Sequence, residues 1–185
     1  MEILIESVTT AHQFQEASAV RRKVFEKEWR TKIPRLPLET RGKLWHFVAR
    51  TGESGPAVAA LTVIDTTADD GTHQRYALHF PENARVARLT QLAVLTPFRG
   101  LGIPCRLIEE AMQRIVQPHK FDFTWLLFDA ARAESCRLVA DFGYSASPYV
   151  LQTEYGLCRV LTRDERGWSG PDQTPRPIES QLPAV

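Results

Sequence analysis

The stretch Val94-Leu95-Thr96-Pro97-Phe98-Arg99-Gly100-Leu101-Gly102-Ile103-Pro104 joins an apolar, strand-like segment to a segment with helical spacing. Glycine lets the backbone adopt positive φ and approach a ligand closely. The first N–H groups of a helix have no partner within the helix, and the helix dipole favours anions at that end. The junction therefore predicts a backbone site for a phosphate-bearing carrier.

Strand and helix patterns alternate on both sides of this junction. Strands are predicted over residues 3–8, 44–50, 57–64, 86–95, 124–128, 149–153 and 157–162, and helices over 11–29, 103–115 and 130–142. Residues 32–43 and 65–82 have no apolar period and predict loops. This alternation indicates a mixed α/β sheet with helices on both faces.

Short signals mark the ends of these helices. Thr10 and Gln13 have the spacing of a capping box at the start of the first helix. Pro118 ends the second helix, because proline cannot continue it, and Gly143 suits the C-cap of the third. The boundaries of all three helices are therefore expected from local chemistry.

The composition is that of one globular domain with a tail. Of 185 residues 43% are apolar and the net charge is +1, which indicates neither nucleic acid nor a membrane surface as a partner. No run is long and apolar enough to span a membrane, and the start of the chain is acidic, unlike a signal peptide, so we expect a cytoplasmic protein. Residues 1–163 are the predicted domain, and 164–185 a Pro-rich, poorly ordered or surface-draped tail.

The three cysteines, Cys105, Cys136 and Cys158, are odd in number and scattered along the chain. This pattern predicts reduced, mostly buried thiols rather than a disulfide framework. No Cys-x-x-Cys or His-Glu-x-x-His spacing occurs, so no metal site is predicted.

The turn from Arg99 to Pro104 resembles the acyl-CoA-binding turn of the GNAT N-acyltransferase superfamily, whose pattern is Arg/Gln-x-x-Gly-x-Gly/Ala. Two further segments are similar to that superfamily: residues 130–144, which end in Asp-Phe-Gly-Tyr, and the helix with Arg21, Phe25 and Glu28. That helix resembles the Arg-x-x-x-Phe-x-x-Glu helix of autoinducer synthases and N-acyl amino acid synthases. Residues 78–81, Leu-His-Phe-Pro, are similar to a Leu…Phe-Pro element of the same synthases. The resemblance covers residues 1–163 and implies a mostly antiparallel central sheet.

The resemblance implies acyl transfer from acetyl-CoA, a longer acyl-CoA or an acyl carrier protein to an amine on a small molecule or protein. The backbone of Leu92, Ala93 and Val94 would face the pantetheine arm and thioester, and that of residues 99–103 (Arg99, Gly100, Leu101, Gly102, Ile103) the phosphates. Pro104 replaces a small residue of the pattern and lacks an N–H. It either starts the helix or favours a carrier with fewer phosphates, such as acyl carrier protein.

Three residues are candidates for the catalytic step. His46 has the spacing of a histidine in the synthase subgroup, although a structural role is the alternative. Gln91 could orient a water or hydrogen-bond the substrate. Tyr144 lies near the Gly-Phe-like ending but could equally pack in the core. The tyrosine that many relatives use as general acid corresponds to Val139, which cannot donate a proton.

Arg21, Phe25, Glu28 and Trp29 are the candidates for lining the acceptor site, with solvated helix positions as the alternative for the charged ones. Two other functions stay open: a GNAT-fold binding or regulatory module without catalysis, and an autoinducer-like N-acyl amino acid synthase. Dimers are common in the superfamily, so a homodimer is a further expectation.

Overall fold

The computed structural model describes residues 2–36, 44–130 and 142–166. Seven strands in these ranges form one sheet, with spatial order β1-β2-β3-β4-β5-β7-β6. The strands are β1 (Ile3–Ser7), β2 (Leu44–Thr51), β3 (Ala57–Asp65), β4 (Val86–Val94), β5 (Phe123–Asp129), β6 (Ser145–Thr153) and β7 (Gly156–Asp164). Only β4 and β5 pair in parallel. The predicted mixed, mostly antiparallel sheet is confirmed.

Three helices occur in the described ranges: α1 (Ala11–Arg21), α2 (Asp70–Arg75) and α3 (Ile103–Ala111). The predicted capping box is present, since the Thr10 side chain accepts from Gln13 N and the Gln13 side chain accepts from Thr10 N. Both long helices end in a π-helical turn, over Arg22–Glu28 after α1 and Met112–Val116 after α3. None of the described helices has the length and hydropathy needed to cross a membrane.

Helices cover both faces of the sheet, as the sequence predicts. Neighbouring residues of a strand face opposite ways. Val48 and Ala60 therefore pack under α1, whereas Phe47 and Leu61 pack against α3 on the other face. We call these the α1 face and the α3 face.

Strands β4 and β5 are paired over only a short distance. Their register covers three positions, ending where Arg88 lies beside Trp125. β4 continues to Val94, while β5 stays paired with β7 along its whole length. The edge of β4 over residues 89–94 therefore has no strand partner on the β5 side, within the described residues. We call the gap between the two diverging strands the β4–β5 cleft.

Two segments differ from the sequence prediction. Residues 65–82 were expected to be a loop throughout, which is wrong over Asp70–Arg75: Asp69 caps this short helix by accepting from Thr72 N. Strand β6 begins at Ser145, four residues before the predicted start at Tyr149, because its pairing with β7 resumes beyond an irregularity between Ala146 and Val150.

Some predictions fall outside the described residues. The helix over 130–142 lies there almost entirely, with Val139 and Cys136, and so do residues 37–43 of the first loop and residues 167–185 of the tail. Gly143 is described and has a φ of 75°, the conformation expected of a C-cap glycine.

Truncation of two leucines in the α3 region should have different effects on stability. Leu107 is fully buried and Leu101 is 52% exposed. We expect Leu107→Ala to lower the free energy of unfolding by about 2–5 kcal/mol, because it leaves a cavity, and Leu101→Ala by less than about 0.5 kcal/mol. Denaturant unfolding followed by circular dichroism measures both, and equal losses would contradict this packing.

Candidate active site

A β-bulge in β4 places the side chain of Gln91. Ala60 of β3 lies opposite Ala93, but Thr62 lies opposite Thr90, so Leu61 faces both Gln91 and Leu92. Gln91 has a φ of 54°, the left-handed region that a non-glycine residue rarely adopts. Its amide Nε2 donates to Pro34 O at 2.6 Å, and its Oε1 lies 3.1 Å from Thr62 Oγ1. The bulge therefore turns Gln91 toward the α1 face, across the end of α1.

Thr62 Oγ1 joins three of the predicted site residues. Arg21 Nη2 donates to it at 2.8 Å, His46 Nδ1 lies 2.9 Å away, and Gln91 Oε1 completes the set. We call Arg21, His46, Thr62 and Gln91 the Thr62 cluster. Arg21 Nη2 also donates to Leu61 O at 3.3 Å. The sequence named three members of this cluster on separate grounds, and the structure brings them together.

The hydrogen bonds to Thr62 favour one placement of the protons in the cluster. A guanidinium only donates, so Thr62 Oγ1 accepts from Arg21. The bond to Pro34 O requires Gln91 Nε2 there and leaves Oε1 to accept the one proton of Thr62. His46 Nδ1 lies 2.9 Å from Thr62 Oγ1 and 3.4 Å from Arg21 Nη2. With the Thr62 proton used by Gln91, the tautomer that suits Thr62 donates from Nδ1 and carries its lone pair on Nε2.

His46 is held neutral in this setting. Burial, and next the charge of Arg21, lower the pKa of His46 to about 4. Arg21 is itself buried, and burial lowers the pKa of its guanidinium to about 10, so it stays charged at neutral pH. The edge of the Phe14 ring contacts the imidazole, with centroids 5.2 Å apart. The α1 face thus carries a neutral histidine beside a fixed cation.

The glycine turn lies at the end of β4, where the cleft opens. After Thr96–Phe98, a single 3₁₀ turn, Gly100 and Gly102 adopt φ values of 79° and 69°. Gly102 is the N-cap of α3, and the hydrogen bonds of the described residues leave the N–H groups of Gly102 and Ile103 without an acceptor. Pro104 is the second residue of α3, where its missing N–H removes no helical bond. Such a helix N-terminus favours anions.

Glu28 connects the helix that carries the four candidate acceptor-site residues to this turn. Its Oε2 accepts from Thr96 Oγ1 at 2.9 Å and pairs with Arg99 Nη2. Burial raises the pKa of Glu28, but the hydrogen bonds from Thr96 and Arg99 outweigh it and hold that pKa below its ordinary value. Arg99 Nε donates to Val94 O at 3.0 Å, so its guanidinium points back toward β4 instead of outward from the turn.

Phe25 and Trp29 lie beside this ion pair. Their rings meet edge to face at 5.0 Å, and Arg99 Cζ is 5.8 Å from the Trp29 centroid. All four predicted acceptor residues, Arg21 included, thus lie along one helix between the Thr62 cluster and the glycine turn.

No protein-family model matches the chain, and no curated protein matches it. Solved structures match most of its length. FeeM, an N-acyl amino acid synthase from uncultured soil microbes, is 11% identical with a TM-score of 0.70, over 88% of this chain and 90% of FeeM. An acyl-CoA N-acyltransferase from Pseudomonas aeruginosa is 16% identical with a TM-score of 0.62, over 88% and 99%. NAA60 from Arabidopsis thaliana, in complex with acetyl-CoA, is 13% identical with a TM-score of 0.64, over 90% and 100%.

The chain has the GNAT fold. The resemblance noted in the glycine turn is therefore confirmed for the architecture. At these identities the likeness establishes the fold and leaves the substrate to be argued from the site.

Within this fold, Tyr144 lies away from the Thr62 cluster. Its hydroxyl is 2.8 Å from Thr124 Oγ1 and its ring faces Arg163, with 5.3 Å from Cζ to the centroid. Thr124 pairs with Ala87, which belongs to the α3 face, whereas His46 and Thr62 are on the α1 face. Burial raises the pKa of Tyr144, which keeps the phenol protonated. Its catalytic role stays a prediction, and no contact with the other two candidates supports it.

Sequence reasoning missed Thr62, the centre of the Thr62 cluster, and Pro34, whose carbonyl accepts from Gln91. Thr62 reads as one more residue of a buried strand, and Pro34 as part of a loop. A fully buried hydroxyl in an apolar strand was the available signal, since such a group needs a polar partner.

Nuclear magnetic resonance of the His46 ring should show an apparent pKa of about 4. Arg21→Met should raise it, because a positive neighbour is removed, while Arg22→Met changes an exposed arginine and should leave it unchanged. The unfolded chain takes up this proton near pH 6.5, so His46 should cost no stability above that pH and lower it progressively as the pH falls toward 4. A wild-type pKa near 6.5 would refute the described environment.

Proposed function

We propose that the protein is an N-acyltransferase that moves an acetyl or longer acyl group from an acyl-CoA thioester to an amine. One observation carries this: the unpaired edge of β4 runs from the Thr62 cluster to the glycine turn. An extended thiol arm laid in the β4–β5 cleft reaches both ends. NAA60 offers support as a protein of this fold that binds acetyl-CoA.

The donor is held by backbone groups. The pantetheine arm takes the place of the missing strand and bonds the free edge over Leu92, Ala93 and Val94, and the phosphates meet the N–H groups of the turn from Arg99 to Ile103. The role of Arg99 is to position the turn through Val94 O and Glu28, since its guanidinium is used there.

The reaction is direct attack. The amine nitrogen bonds to the thioester carbon, the C–S bond breaks, and the thiolate leaves and takes up a proton. The bulge aims β4 backbone donors at the developing oxyanion, where fixed dipoles stabilise charge best. Gln91 orients the amine or a water. The ammonium formed in the attack is strongly acidic, so neutral His46, although a weak base, can accept its proton through Nε2. Phe25, Glu28 and Trp29 line the acceptor side.

Thiol release from a panel of acyl-CoAs and amines tests the function, and calorimetry with CoA and with holo acyl carrier protein identifies the carrier. Gly102→Val should weaken carrier binding about 10- to 100-fold, because it disturbs hydrogen bonds to charged phosphates. Gly52→Val is the matched control, with a similar φ of 71° and equally open surroundings, but in the β2–β3 turn. Binding without thiol release for any amine would favour the regulatory module, and absence of binding would refute both.

Thr62→Val should lower kcat about 100-fold, because it releases His46 and Gln91 from a common partner, while the KM for acyl-CoA changes little. It should also cost about 1–3 kcal/mol of stability, since Arg21 and Gln91 lose a buried partner. Thr62→Ser keeps the hydroxyl and should retain most of kcat. Steady-state kinetics decides, and a Thr62→Val enzyme of normal kcat would remove the cluster from the mechanism.

A further inference from the structure

Four arginines are buried in the described part of the chain, and one of them differs in its surroundings. Three have oxygen partners: Arg21 has Leu61 O and Thr62, Arg50 has Glu6 and Glu16, and Arg163 has Phe142 O and Glu165. Arg88 is 5% exposed and its Nε, like that of Arg21, is buried without a hydrogen bond. Unlike the other three, its guanidinium has neither an oxygen partner nor an ion pair among the described residues. A buried charge without an anion is costly, and groups perturbed in this way cluster at functional sites.

Two aromatic rings contact the Arg88 guanidinium. Its Cζ lies 4.7 Å from the centroid of Trp125 and 5.8 Å from that of Tyr76. Aromatic faces attract a cation, but they neither neutralise it nor accept its in-plane N–H groups. Burial accordingly lowers the pKa of Arg88. The N–H fork remains available to a planar anion.

Arg88 lies at the closed end of the β4–β5 cleft. It forms the last register pair with Trp125, and it shares the α1 face with Thr90, which pairs with Thr62. Gln91 follows three residues later, about 10 Å along an extended strand. The unpartnered cation and the Thr62 cluster therefore lie on one strand and one face.

A short segment of chain encloses this face. Pro34 O accepts from Gln91, and the next residue, Arg35, donates its backbone N–H to Tyr155 Oη at 3.1 Å. Residues 34–35 thus connect β4 with the β6–β7 hairpin, and Tyr155 is close enough to Arg88 to interact with it electrostatically. Pro34 and Tyr155 are therefore neighbours of Gln91 and Arg88, respectively, on this face.

We propose that Arg88 binds the carboxylate of the acceptor, and that the acceptor is therefore an α-amino acid with an apolar side chain. The proposal rests on the N-acyltransferase function proposed above. A guanidinium matches a carboxylate through two parallel hydrogen bonds, which supplies the anion that the buried charge lacks. The amine on the same carbon then lies on the Gln91 side, and the apolar side chain lies next to the ring of Tyr76.

Asp69 is the competing explanation within the chain. It is the carboxylate whose charge acts on Arg88 from a longer distance, and its Oδ2 is buried without a hydrogen bond while Oδ1 caps α2. If Arg88 serves only to balance the charge of Asp69, then Asp69→Asn should change the environment of Arg88. In that case the protein should bind no ligand through a carboxylate.

Calorimetry in saturating CoA tests the proposal without requiring turnover. The ligands are apolar amino acids, each compared with its amide and its decarboxylated amine, for example L-phenylalanine, L-phenylalaninamide and 2-phenylethylamine. We expect the amino acid to bind about 10- to 100-fold more tightly, as for a hydrogen-bonded charge pair. Arg88→Gln should abolish that difference, Arg88→Lys should restore part of it, and Asp69→Asn and the exposed control Arg22→Gln should preserve it.

The outcomes distinguish a failure of the carboxylate site from a failure of the acyltransferase function. If no amino acid of the panel binds the wild-type protein more tightly than its amide, or if Arg88→Gln weakens all three ligands equally, the carboxylate site is refuted. CoA binding, measured alone in the same instrument, does not depend on the acceptor. Normal CoA binding with no carboxylate preference leaves the acyltransferase standing, whereas loss of both removes the acyltransferase as well. The wild-type comparison decides even if Arg88→Gln fails to fold.

Discussion

The divergence of β4 from β5 is the constraint on which the rest of the site depends. β5 keeps its pairing with β7 at every position, while its pairing with β4 ends where Arg88 lies beside Trp125, so the two strands diverge beyond that point. Backbone N–H and C=O groups on the free edge of β4 then need partners from outside the sheet. An extended ligand can supply them as an added strand does. The fold thus makes a binding cleft from a pairing that stops early, with few specialised side chains.

The bulge positions residues at one end of this cleft, and the Glu28 ion pair positions residues at the other end. The bulge turns Gln91 from the regular pleat into the Thr62 cluster, which a straight strand could not do. Glu28 ties the end of the first helix to Thr96 and Arg99, and so to the turn that begins α3. A partly exposed ion pair contributes little stability. Its effect is geometric: it fixes the end of the first helix against the glycine turn.

Most elements of the fold could be predicted because their signals are local. The capping box at Thr10, the glycines of the turn and the apolar periods all act within a few residues. The short helix α2 has no apolar period and forms around the Asp69 cap, so no pattern revealed it. His46, Gln91 and Arg21 were each named from the sequence, yet their meeting at Thr62 depends on strand register and on one bulge. Register is set by pairing across the whole sheet, and no local pattern marks the bulge at Gln91.

The electrostatics of the α1 face favour the amine as a nucleophile. Arg21 and Arg88 are both buried on this side of the sheet, and neither forms an ion pair with a described carboxylate. Burial is the main reason why His46 is neutral, and the charge of Arg21 adds to it. A positive potential acts in the same direction on an ammonium group entering the cleft. It also stabilises negative charge that develops on the thioester oxygen and the leaving sulfur. If an acceptor carboxylate occupies Arg88, it cancels the more distant of the two charges and leaves Arg21 beside the reacting atoms. Substrate binding then satisfies the costly buried cation while the field that promotes attack is kept.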